Sequence, residues 1–81
     1  MIDPNKIQEI IESALPNSEV VVQDLTGTRD HFQALVISPD FVGKNMVEQH
    51  QMVYRALGDL MKEAIHALAL NTFTPEQWKN Q

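Results

Sequence analysis

The stretch Ala64–Trp78, AIHALALNTFTPEQW, decides how the chain is read. Ile65–Phe73 is mostly apolar, with Leu, Phe and Thr among the Ala, and predicts a buried or half-buried strand. Thr74 then reads as a helix N-cap. Pro75 follows at the first helical position, and Gln77 stands where a capping box wants Glu or Gln. Trp78, the only tryptophan in the chain, is placed to dock that last short helix. His66 stands at the mouth of the strand. Strand parity groups it with Leu68 and Leu70, while Ile65, Ala67 and Ala69 take the other face.

The element before this stretch is helical. Asn45, with Glu48 three residues on, signals an N-terminus. Met46, Val47, His50, Val53, Tyr54, Leu57, Leu60 and Met61 keep helical spacing. Gly58 interrupts that run at a cost of about 1 kcal/mol relative to Ala in a helix interior, so a kink or early end is expected there.

Two strands come earlier. Glu19–Leu25 (EVVVQDL) is β-branched, Thr26–Asp30 is a turn cluster, and His31–Ser38 (HFQALVIS) is its antiparallel hairpin partner. Alternation puts Phe32, Ala34, Val36 and Ser38 on one face, and His31, Gln33, Leu35 and Ile37 on the other. The Phe32 face, with its aromatic, is the one expected under the helices. The Leu35/Ile37 face is expected to stay partly open. The first helix is capped by Asp3, carries Pro4 at its first position and buries a stripe of Ile7, Ile10, Ile11, Ala14 and Leu15. Pro16 ends it by pushing Leu15 out of the helical region.

The order is helix, strand, strand, helix, strand, short helix. A strand–helix–strand crossover favours a parallel pair. The expected fold is therefore α+β: a three-stranded mixed sheet in the order 1-2-3 with helices on one face, forming a single domain over residues 1–81.

Composition narrows the chemistry. Six Lys and Arg against eleven Asp and Glu give a net charge of −5. This argues against a broad phosphate-neutralising surface, since nucleic-acid affinity comes mainly from Lys and Arg releasing counterions. With no cysteine, the chain cannot by itself supply thiolates to an iron–sulfur cluster or a zinc site. No apolar run approaches a membrane span. The start of the sequence lacks the basic and apolar blocks of a secretory signal, and the expected location is cytoplasmic.

Three histidines remain as candidates: His31, His50 and His66. Neither an HExxH motif nor a Gly-rich phosphate loop is present, and no catalytic triad spacing is recognisable, so an enzyme is not expected. His50, mid-helix, reads as an ordinary helix-face histidine. His31, beside Asp30, reads either as part of a solvated turn or as a site residue. His66 reads either as a structural histidine bonded to the backbone or as a ligand. If the second and third strands are parallel, their starts share one end of the sheet, where His31 and His66 can converge. Two imidazoles make an incomplete metal site, of the sort that a partner completes. Val42-Gly43-Lys44-Asn45 reads as an ordinary loop leading into a helix. Phe73 and Trp78, with no basic residues interleaved, read as core packing rather than base-stacking platforms.

Taken in order, these segments resemble the BolA-like family. The resemblance rests on His31-Phe32 opening a strand and Ile37-Ser38-Pro39-Asp40-Phe41-Val42-Gly43 closing it. It continues through Gln49-His50-Gln51-Met52-Val53-Tyr54, Ile65-His66-Ala67-Leu68 and Thr74-Pro75-Glu76-Gln77-Trp78. It implies a KH-like (class II) fold and partnership with a monothiol glutaredoxin of the CGFS type. It further implies a bridging [2Fe-2S] cluster, with glutaredoxin and glutathione supplying thiolates. His66 would be the ligand from this chain, and no cofactor is expected in the chain alone. Many members carry a second Cys or His in a longer hairpin loop. Here the loop has neither, and His31 at the strand start is the remaining candidate. The family is also linked to transcriptional regulation, but the acidic balance and the lack of a GxxG loop rank nucleic acid lower as a partner. The free chain is open to being monomer or homodimer.

Overall fold

The computed structural model describes residues 2–25, 27, 31–63, 65 and 67–81. His66 and most of the expected 26–30 turn lie outside the described residues.

Helix α1 spans Pro4–Ala14. The Asp3 carboxylate accepts from the Asn5 amide at 2.8 Å and caps its start. Ile7 and Ile11, one turn apart, are fully buried, and Leu15 extends the same line just past the helix. Ala14, expected on the stripe, is exposed; the buried face is the narrower i, i+4 row centred on Ile7 and Ile11.

Strands β1 (Glu19–Asp24) and β2 (His31–Ile37) pair antiparallel, with Val20 opposite Val36, Val22 opposite Ala34 and Asp24 opposite Phe32. Strand β3 (Ala67–Phe73) pairs with β2 in parallel, and the sheet order is β1-β2-β3. The Phe32 face is the covered one: Phe32, Ala34, Val36 and Ser38 are fully buried. Opposite them, Leu68 and Leu70 pack against the same core. On the other face Gln33, Ala67, Ala69 and Asn71 are exposed and Leu35 is half-buried, but Ile37 is buried. The expected open face is thus closed at its Ile37 end, where Ile37 lies opposite Phe73.

β3 begins at Ala67 rather than Ile65. Ile65 is buried, but its amide donates to the Leu60 carbonyl at 2.8 Å, which takes it out of the strand ladder. It instead closes the short helix α3 (Leu60–Glu63) that separates α2 from β3.

Helix α2 runs Met46–Leu57. A full capping box opens it: Asn45 Oδ1 accepts from the Glu48 amide and Glu48 Oε1 accepts from the Asn45 amide, each at 2.9 Å. Gly58 ends it with φ 54° and ψ −128°, as the interrupted periodicity predicts. The buried row is Gln49, Val53 and Leu57, whereas Met46 and Val47 are 68% and 64% exposed. The first turn of α2 therefore carries its apolar side chains outward. A polar residue takes the inward position because the preceding loop needs a donor. The loop holds a 3₁₀ turn, Pro39–Phe41, whose Asp40 amide bonds to Ser38 Oγ at 3.1 Å. Gln49 Nε2 donates to the Lys44 carbonyl at 3.0 Å and at longer range to Phe41 O.

Helix α4 (Pro75–Lys79) carries the second capping box, with Thr74 Oγ1 bonded to the Gln77 amide and Gln77 Oε1 to the Thr74 amide. Trp78 does dock it, with its ring 5.4 Å from that of Phe73. The contact lies at the surface, since Trp78 remains 43% exposed; this corrects the expectation of core packing.

A candidate ligand site at the start of the two parallel strands

His31 is the first residue of β2 and is half-buried. Its carbonyl accepts from the Leu25 amide at 2.9 Å, so the hairpin ladder holds its backbone up to the turn. Across the parallel pair it faces Ala67, the residue that follows His66 in the chain. Both strand starts are thus at one end of the sheet, as the crossover predicts. The side chain of His66 lies outside the described residues.

His50 is elsewhere. It sits on α2, half-buried, with its ring edge-on to Tyr54 one turn later at 6.5 Å. This is an i, i+4 aromatic contact on a helix face, which agrees with the ordinary reading of that histidine.

Among the described residues, no three His, Cys, Asp or Glu side chains come together as a metal site. With no thiol in the sequence, the described residues at this end of the sheet offer the His31 imidazole and, on the neighbouring strand, the Asp24 carboxylate. Such a set fits a shared cluster, in which other molecules supply the thiolates and histidine replaces cysteine on one iron. It does not fit a self-contained one. Register brings residue 31 and the neighbour of residue 66 together, and the single-residue signals in the sequence could not establish that. They also gave no sign of the buried Gln49, since an amide between His50 and Glu48 looks like surface.

The match to known proteins is direct. The family described as BolA-like protein matches residues 2–77. The chain belongs to the BolA-like family. Among curated BolA-like relatives, it is 36% identical over 86 residues to "DNA-binding transcriptional regulator BolA" of Haemophilus influenzae, covering 93% of this chain and 84% of that protein. It is 37% identical over 81 residues to "Protein BOLA2" of Arabidopsis thaliana, covering 98% and 86%. In three dimensions it is similar to a bolA protein homologue from Coxiella burnetii, with a TM-score of 0.84 at 36% identity over 98% of this chain and 99% of that one. The three-stranded mixed sheet with its helices is thus the BolA architecture, and the KH-like description is compatible with it.

Proposed function

We propose that this BolA-like chain is a non-enzymatic adaptor that binds a monothiol glutaredoxin of the CGFS type. In the complex it donates imidazole to a bridging [2Fe-2S] cluster, in iron–sulfur trafficking or iron and redox regulation in the cytoplasm. His66 is the main ligand and His31 the second. The observation that carries the reading is the parallel register, which sets His31 across from the residue that follows His66. The zero cysteine count supports it: a chain with no thiolate to offer joins a cluster as a co-ligand. Histidine ligation removes negative charge from the cluster and raises its potential relative to an all-thiolate site.

The test is visible circular dichroism. A [2Fe-2S] cluster is reconstituted on the glutaredoxin with glutathione, and this chain is added. Wild type should reshape the spectrum, and His66→Ala should leave the glutaredoxin-only spectrum in place. A His66→Ala spectrum identical to that of the wild-type complex defeats the ligand assignment.

A second reading, a nucleic-acid-binding regulator, is favoured by the name of the Haemophilus influenzae relative. Against it stand the net charge of −5 and a first turn of α2 that presents Met46 and Val47 rather than cations. Titration with duplex DNA at two salt concentrations separates the two readings. Sub-micromolar affinity with a steep salt slope would favour the regulator.

A further inference from the structure

β3 is an outer strand of the sheet, with β2 on one side only. The register fixes which of its backbone groups face β2. Phe73 is paired with Ile37, and its carbonyl accepts from the Ser38 amide at 3.0 Å. In a strand each residue turns its N–H and C=O to the same side, and successive residues alternate. Ala67, Ala69, Asn71 and Phe73 therefore bond to β2, while Leu68, Leu70 and Thr72 turn theirs to the free edge. Among the described residues, no loop or helix backbone bonds to those outward groups.

This edge lacks the devices that keep sheet edges apart. Ala67–Phe73, ALALNTF, has no charge and no proline. β1, the other outer strand, carries a carboxylate at each end, Glu19 and Asp24. The helix layer also covers β3 less completely than β2. Leu68 and Leu70 lie on the covered face but are only half-buried, whereas Phe32 and Ala34 beside them are fully buried. On the opposite face Ala67, Ala69 and Asn71 are exposed.

We infer that the free edge of β3 pairs with β3 of a second copy of this chain, antiparallel about a two-fold axis at Leu70. The strand is its own complement in that register. Leu70 meets Leu70 of the copy and Leu68 meets Thr72, so every outward N–H faces an outward C=O. Opposite residues share a face, so the half-buried leucines gather on the covered side and Ala69 meets Asn71 on the open side. The copy's Leu68 comes in beside Thr72, where a cleft of about 460 Å³, lined in part by Met46, Gln49 and Gln81, leaves room for it. Pairing β1 with β1 would instead bring Glu19 of one copy near Asp24 of the other, and pairing β1 with β3 would not close at two copies. A second copy is the occupant because one two-fold axis satisfies both edges at once, whereas the strand carries no charge that selects a foreign sequence. The contact is small and joins two chains of net charge −5, so the dimer is weak and strengthens with salt. It does not depend on the cluster-binding reading.

Sedimentation equilibrium of the full chain up to millimolar concentration, at low and high salt, measures the association, and nuclear magnetic resonance locates it. Dimer formation should slow amide exchange at Leu68, Leu70 and Thr72 and leave the β1 amides unchanged. In a mixture of labelled and unlabelled chains, an isotope-filtered contact should join the α-protons of Ala69 and Asn71, a close non-hydrogen-bonded pair in this register. Ala69→Glu, at an exposed position, should weaken the dimer about tenfold, because the two new carboxylates lie diagonally across the axis. Adding Asn71→Lys should restore it, since each carboxylate then faces an ammonium of the copy. Far-UV circular dichroism checks that both variants are folded. The inference is overturned if the chain stays monomeric at every concentration and salt, which would leave the edge to a strand of another protein. It is also overturned if the protection or the filtered contact falls elsewhere, if Ala69→Glu dimerises like wild type, or if the double variant stays as weak as Ala69→Glu.

Discussion

Thr72 Oγ1 donates to Gln49 Oε1 at 2.8 Å, joining the third strand to the first turn of the second helix across 23 positions of sequence. Through the other branch of the same amide, the Lys44 carbonyl is tied to the same point. One buried side chain thus secures a strand, a helix and a loop.

Removing Gln49 should therefore be costly for a polar side chain flanked by an exposed Glu48 and a half-buried His50. Gln49→Ala leaves the Thr72 hydroxyl and the Lys44 carbonyl without their partner and opens a void. A loss of about 2–4 kcal/mol is expected, from unsatisfied polar groups and lost packing together. Urea unfolding followed by far-UV circular dichroism measures it. Thr72→Val should cost about 1 kcal/mol, and the double variant should cost less than the sum, because the two groups share one bond.

Gly58 is a purely conformational requirement. A Cβ there would meet nothing closer than the Arg55 carbonyl at 3.9 Å, so space is not the issue. With φ 54° and ψ −128°, the residue lies outside the left-handed helical basin, and an L side chain is strained. Gly58→Ala should destabilise by about 1–3 kcal/mol. Gly58→Asn should do no better, because the tolerance of Asn extends to the αL region and not to this ψ. Equal thermal midpoints for Gly58→Ala and wild type would show that the helix end can relax.

The α2 cap separates two properties of one residue. Asn45→Ala removes the oxygen that accepts from the Glu48 amide and should cost about 0.5–2 kcal/mol. Asn45→Asp keeps that oxygen and adds negative charge at a helix N-terminus, so stability should be held or slightly raised. Chemical denaturation of the two variants side by side gives the comparison.

His31 is the finer test of the cluster proposal. If it is the second ligand, His31→Ala should still associate with the glutaredoxin, but with an altered visible spectrum and faster cluster loss. His50→Ala, on α2 and packed against Tyr54, should leave both unchanged. A His31→Ala complex with wild-type spectrum and cluster lifetime would limit the chain to a single imidazole.

Local signals carried much of the fold. Asp3, Asn45 with Glu48, and Thr74 with Gln77 each satisfy helix-end amides from a few residues away, and Pro4 and Pro75 leave one amide fewer to satisfy, so the helix starts could be read without knowing what packs where. The alternation from Phe32 to Ser38 likewise marked its covered face, since strand side chains alternate by covalent geometry. The phase of the first turn of α2 could not be read this way. Hydrophobicity favours Met46 and Val47, yet Gln49 goes inward, because its amide serves the Lys44 and Phe41 carbonyls and the Thr72 hydroxyl, partners that come from three separate segments.

By itself the sequence determined the order of the three strands and of α1, α2 and α4, the capped helix starts, the break at Gly58 and the absence of any thiolate. These follow from local backbone chemistry and composition. Only the tertiary structure decided that β3 starts at Ala67, that His31 stands across from it, and that Gln49 turns inward to Thr72 and the Lys44 carbonyl. Those relationships depend on strand register and on hydrogen bonds between distant segments. Energies of that kind exist only once the chain has closed on itself.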